Sequence, residues 1–237
     1  MSHPFFKLLT LSLSILTVAC ASGGTTGTYN GSSSYGKAEK PLPTKSIDNS
    51  TERLLAQAEA EGNSQKILAT LKDIHMNNKN DPIVATRYGR ALREDDQVNA
   101  ASRILEPYTK GDKANDQALT EMAMTQLALG KFQAAENYGQ KAVSLNNKNG
   151  RAYLALGTAL DAQKQHQAAE VAFRKGLENW KGDSTPILNN LALNLASQGH
   201  LEEALSLIEK AQEMAPGRMD LERNRRIIAT LLETTTG

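Results

Sequence analysis

GRAYLALGTALDAQKQHQAAEVAFRKGLENWKGD, residues 150–183, decides the fold, because its spacing recurs along the chain. Copies in the same 34-residue register start at Asp48, Pro82, Asp116, Gly150 and Thr185. One extra residue, Ser184, precedes the last copy, and the copy at Asp48 is degenerate. A fixed period of this length predicts a helix–turn–helix unit stacked into an all-α solenoid. Each unit leaves an apolar face that only its neighbours can cover, so consecutive units share one continuous core. An ordinary helical bundle has no reason to keep such a period over five units.

Numbering each copy from its first residue shows what the period conserves. Position 8 reads Leu55, Gly89, Ala123, Gly157, Ala192; position 20 reads Ile67, Ala101, Ala135, Ala169, Ala204; position 27 reads Ile74, Tyr108, Ala142, Gly176, Ala211. The last three copies have only small residues there, which lets two antiparallel helices approach closely. Position 7 (Leu54, Tyr88, Met122, Leu156, Leu191) and position 24 (Leu71, Leu105, Gly139, Phe173, Ile208) are mostly bulky and are expected to fill the space beside those contacts. Gly62, Gly130 and Gly199 at position 15 suit a left-handed residue that ends the first helix. Pro216, at position 32 of the last copy, stops its second helix. Beyond Arg218, the spacing of Leu221, Ile227, Ile228, Leu231 and Leu232 predicts a further helix over 219–234 that caps the stack.

These positions resemble the tetratricopeptide repeat, whose pattern asks for Trp, Leu, Gly, Tyr, Gly, Tyr, Ala, Phe, Ala and Pro at positions 4, 7, 8, 11, 15, 17, 20, 24, 27 and 32. The copy at 150 supplies Tyr153, Leu156, Gly157, Ala169 and Phe173, and departs at Lys164, Gly176 and Lys181. The copy at 185 supplies Leu191, Gly199, Ala204, Ala211 and Pro216. The resemblance implies a repeat solenoid over 48–81, 82–115, 116–149, 150–183 and 185–218. The first repeat is degenerate and suits an atypical cap.

The N-terminus carries a second signal. Lys7, the only charge in the first 36 residues, precedes an apolar run from Leu8 to Ala19. That run is too short for a permanent membrane helix but suits the core of a signal peptide over 1–19. It ends in Leu16-Thr17-Val18-Ala19-Cys20, which resembles the bacterial lipobox. The resemblance implies cleavage before Cys20 and lipid on its thiol; the alternative is an ordinary secretory peptide with an incidental cysteine. Cys20 is the only cysteine, so it has no partner for an internal disulfide. Ala21, where Asp would favour inner-membrane retention, implies the outer membrane by the same resemblance. Residues 21–47 are rich in Gly, Ser, Thr, Asn and Pro and too poor in apolar residues to fold, so 20–47 reads as a lipidated tether. As a coil it would span roughly 29 Å.

Charge and motifs exclude several classes. The chain has 27 basic and 26 acidic side chains; removing residues 1–19 leaves 26 of each. A neutral chain lacks the positive excess on which general nucleic-acid binding rests. His75, His166 and His200 lie in different repeats without cysteine partners, so no metal or other cofactor is expected. No Gly-x-Ser-x-Gly elbow occurs, and Gly130-Lys131-Phe132 lacks the rest of a phosphate loop. Asp95-Asp96 and Glu202-Glu203 read as carboxylates complementing helix starts. Arg223, Arg225 and Arg226 read as a solvated helix face, with anionic lipid as the alternative. The expectation is a non-enzymatic chain with protein partners and no small-molecule substrate.

The repeat resemblance also implies where partners bind. In that family the first helix of each repeat lines a concave groove through positions 2, 5, 6, 9, 12 and 13. Here these include Arg87, Arg90, Arg93, Met124, Arg151, Asn189, Asn190 and Leu193. Arg87, Arg90 and Arg93 are expected either to receive an acidic partner segment or to form a solvated face offset by Glu94, Asp95 and Asp96. A lipobox, a tether and about five such repeats are similar to the lipoproteins of bacterial pilus biogenesis. Asn189-Asn190-Leu191-Ala192-Leu193, with Gly199 and Glu202-Glu203-Ala204, most resembles the Flp/Tad (tight adherence) assembly lipoproteins of the TadD family. That resemblance implies a periplasm-facing adaptor that helps the pilus secretin assemble in the outer membrane. A scaffold recruiting cell-wall hydrolases or proteases is the other reading.

Overall fold

The structure is a computed structural model, and it describes residues 49–236. The expected signal peptide, Cys20 and the expected tether lie outside the described residues. Eleven α-helices follow in pairs: α1 Asn49–Ala60 with α2 Ser64–Asn77, α3 Pro82–Glu94 with α4 Val98–Leu105, α5 Asp116–Ala128 with α6 Phe132–Leu145, α7 Gly150–Ala162 with α8 His166–Glu178, and α9 Thr185–Ser197 with α10 Leu201–Met214, closed by α11 Met219–Thr236. Among the described residues there is no strand. None of these helices is long and apolar enough to cross a membrane.

Local chemistry sets the helix starts. Asp81 accepts hydrogen bonds from the Ile83 and Val84 amides, and Pro82 occupies the first turn, where its missing N–H costs nothing. Asn63, Asn115 and Asn149 cap α2, α5 and α7 in the same way. The second repeat differs. Pro107 cannot continue a helix, so α4 stops at Leu105 and the chain goes on through short 3₁₀ turns at Glu106–Tyr108 and Gly111–Lys113. The buried Tyr108 ties this segment back, its hydroxyl donating to the Lys79 carbonyl at 2.6 Å.

Position 15 is left-handed in all five repeats: Gly62 (φ 62°), Asp96 (60°), Gly130 (69°), Lys164 (64°) and Gly199 (84°). The turn demands this conformation whether or not the residue is glycine. Asp95 is therefore the C-cap of α3 and Asp96 the turn residue, not first-turn carboxylates of α4, which begins at Val98. Glu202 and Glu203 do lie in the first turn of α10. A side chain in the left-handed region costs about 1–2 kcal/mol, part of which glycine returns as unfolded-state entropy. Lys164→Gly is therefore expected to raise stability by about 0.5–1 kcal/mol, read as a higher urea midpoint at unchanged slope.

Packing follows the small–large alternation. A Cβ on Gly157 would lie 2.6 Å from the Phe173 ring, and one on Gly89 2.7 Å from Leu105, both within their own repeats. In the third repeat the relation inverts: Gly139 is the small member, and Leu156 of the next repeat approaches so closely that a Cβ would lie 3.1 Å from its Cα. Position 7 thus packs on the preceding repeat. Leu54 corrects the sequence reading here: it is 60% exposed, because among the described residues no repeat precedes it. Gln57 on the same helix is exposed too. At the other end α11 buries Leu221, Asn224 and Ile228 and leaves Met219, Arg223 and Arg226 outside, as a cap requires.

Candidate partner-binding groove

The first helices of successive repeats, α3, α5, α7 and α9, carry the residues singled out as groove-lining. The middle one, α5, is enclosed by its neighbours: every residue from Ala118 to Gln126 is buried. A carboxylate inside such a run must be paired. Glu121 is 1% exposed and receives three guanidiniums. Arg90 Nε donates to its Oε1 at 2.7 Å, Arg151 Nη2 donates to the same oxygen at 2.8 Å, and Arg93 Nη2 donates to Oε2 at 3.1 Å. Burial pushes the Glu121 carboxyl up, but Arg90, Arg151 and Arg93 more than offset it and hold it far below the usual carboxylate range.

Three repeats therefore meet on one carboxylate, since Arg90 and Arg93 belong to the second, Glu121 to the third and Arg151 to the fourth. Arg87 is turned the other way: its Nη1 donates to Glu52 at 2.9 Å and its Nη2 lies 3.7 Å from Glu59. The expected stripe of three equivalent cations is thus divided. Arg87 ties the first two repeats, while Arg90 and Arg93 tie the second to the third. The charges that offset them are Glu52, Glu59 and Glu121, with Glu94 bonded to Arg93 at 3.2 Å; Asp95 instead accepts from Gln65 and Gln97. Glu121 is legible in the sequence as a lone acid inside an otherwise uncharged helical run, LTEMAMTQLA.

Toward the C-terminal end the expected groove residues are apolar and amide. Met124 and Leu193 are 8% and 9% exposed. Asn190 donates to the Pro186 carbonyl of its own helix at 2.8 Å. Asn189 accepts from the buried Asn224 of the cap at 2.8 Å, so α11 reaches over this part of the face. A polar seam joins the last two repeats: Asp161 Oδ1 accepts from Asn194 at 2.6 Å and contacts His166 Nδ1 at 2.8 Å. Ser197 Oγ lies 3.4 Å from the same ring nitrogen. A nucleophilic relay needs acid and hydroxyl on opposite ring nitrogens, so this trio is a structural seam. His75 stacks on Tyr88 with ring centroids 5.4 Å apart. No group of three His, Cys, Asp or Glu fit to hold a metal occurs among the described residues.

The fold is a solenoid of the tetratricopeptide-repeat type. The tetratricopeptide-repeat family matches at 116–149, 150–179 and 187–214. Among solved structures, a thermophilic repeat protein of Thermus thermophilus is similar at 23% identity and a TM-score of 0.65, over 77% of this chain and 97% of its own. MamA of Desulfovibrio magneticus is similar at 18% identity and a TM-score of 0.53, over 71% and 95%. YrrB, described as a repeat protein with an unusual peptide-binding site, is similar at 16% identity and a TM-score of 0.51, over 77% and 94%. No curated relative matches the chain. At these identities the likeness is one of fold.

Proposed function

We propose that this chain is a lipid-anchored adaptor of the outer membrane, facing the periplasm, that binds protein partners through its solenoid and supports assembly of a Flp/Tad-type pilus and its secretin. What supports the reading is that one chain joins a segment resembling a lipobox and ending at Cys20, a stretch rich in Gly, Ser and Thr, and a repeat solenoid. The run Asn189–Leu193 followed by Glu202-Glu203-Ala204 favours the pilus lipoproteins within that class. A three-chain lipid of the bacterial type anchors effectively permanently, since each buried methylene contributes about 0.8 kcal/mol.

Crosslinking in cells, followed by capture from separated membranes, tests both parts. The wild type should sediment with the outer membrane and bring down a secretin. Cys20→Ser should leave that fraction; its retention there would remove the lipid anchor from the reading. Amidases or proteases without any secretin would instead establish the scaffold for cell-wall enzymes.

A further inference from the structure

Apolar packing divides the stack in two. From the third repeat to the cap one cluster runs unbroken, from Ala123 and Met124 through Phe173 and Leu195 to Ile228. The first two repeats share a cluster of their own, Leu55, Leu71, Ile74 and Val84, with Tyr88 packed against it. Where the second repeat meets the third, the buried cluster is Ala85, Tyr108 and Ala118 with the half-buried Ile104. Two of its three buried members are alanines, which remove little apolar area from water. Met122, the bulky residue of position 7, meets the Ser102 hydroxyl there, its Sδ accepting at 3.7 Å. The second helix that would widen this contact is short: α4 has 8 residues, where α2, α6, α8 and α10 have 13 or 14. On the groove face the two parts are joined by the ion cluster. Arg90 and Arg93 reach across the boundary to Glu121, which Arg151 holds from the other side. Such bonds weaken steeply once their geometry is disturbed. Salt reaches them, because Arg90 and Arg151 have 35% and 22% of their side chains exposed.

We infer that the boundary between the second and third repeats is a joint: the first two repeats move against the other three as one body, and the ion cluster on Glu121 is the catch that holds the joint closed. This goes beyond the adaptor reading and does not depend on it. Contacts between neighbouring repeats set the cooperativity of a solenoid, so a stack parts at its weakest boundary. The pivot is the seam of Ala85, Tyr108 and Ala118. Tyr108 belongs to the moving part, since its hydroxyl is tied to the Lys79 carbonyl between the first two repeats. Releasing the catch lengthens the groove face across the boundary and leaves the spacing within each part unchanged.

Distances between spin labels on the mature chain, carrying Cys20→Ser, test this. Ala60→Cys with Ala128→Cys, exposed residues at position 13 of the first and third repeats, spans the joint. Ala60→Cys with Asn99→Cys and Ala128→Cys with His200→Cys, also exposed, stay within the two parts. Raising the salt from about 50 mM to about 1 M, where the screening length falls to about 3 Å, should raise a longer-distance population across the joint severalfold. Both inner pairs should stay as they were. Glu121→Gln at low salt should have the same effect, with helical circular dichroism retained. A spanning distance that stays single at every salt concentration in the chain with Glu121 intact overturns the joint. Equal broadening of all three pairs overturns it too, because the stack would then loosen everywhere. A salt-induced population that Glu121→Gln does not enlarge overturns the assignment of the catch.

Discussion

Glu121→Gln is expected to lower stability by about 3 kcal/mol, more than any other single change on the groove face. The substitution keeps the shape of the side chain and removes the buried charge to which Arg90, Arg93 and Arg151 all donate. Deleting one member of a buried ion cluster leaves the others desolvated without a counter-charge, at about 3–5 kcal/mol. The lower end applies because Arg90 and Arg151 reach water in part, with 35% and 22% of their side chains exposed. A loss of that size lowers the melting midpoint by about 2–4 °C per kcal/mol for a chain of this length. Because the cluster joins the second, third and fourth repeats, its loss should also weaken coupling along the stack, seen as a broader urea transition with a smaller slope.

The same residue fixes the pH dependence. Its folded-state carboxyl is depressed, so it contributes full stability above the unfolded carboxylate value, about 4.3, and loses it progressively as pH falls below that. The stability difference between wild type and Glu121→Gln should therefore be constant at neutral pH and shrink on acidification. A difference that grows toward acid, or a variant as stable as wild type at pH 7, would mean that the cluster does not hold the repeats together.

Local rules made the repeat frame readable, and pairing across repeats hid the site. Close helix contacts need small residues at positions 8 and 20, and turns need position 15 left-handed, so Gly157, Ala169 and Gly199 announce the architecture in the sequence. Lys164 and Asp96 meet the same demand without the glycine, so spacing alone reveals them. Leu54 misled because position 7 is buried only by a preceding repeat, and whether one exists is a property of the stack, not of the helix. The groove arginines misled differently. On one helix Arg87, Arg90 and Arg93 form a stripe; their partners Glu52, Glu59 and Glu121 lie about one repeat away in sequence. No periodicity within a helix predicts which carboxylate a neighbouring repeat will bring to them. Asn189 is similar, since its partner Asn224 arrives on the capping helix.

Phe173→Ala is the second large effect, expected to cost about 3–5 kcal/mol. Phe173 is 1% exposed and sits in the cluster that runs from Ala123 through Leu195 to Ile228. Removing its ring leaves a cavity between α7 and α8 that a rigid helix pair closes only in part. Gly157 shows how tightly the ring is held: a Cβ there would stand 2.6 Å from two ring carbons. Gly157→Ala alone should therefore destabilise by overpacking, by about 1–3 kcal/mol, because the ring cannot tilt away without displacing its neighbours. The two sites must couple, being in direct contact. Shortening the ring in Gly157→Ala/Phe173→Leu gives the new methyl room, so the double variant should be more stable than the two single losses added together. Urea unfolding of wild type, Gly157→Ala, Phe173→Leu and the double variant measures that coupling. Strict additivity would show that helix approach in this repeat is not set by the glycine–ring contact.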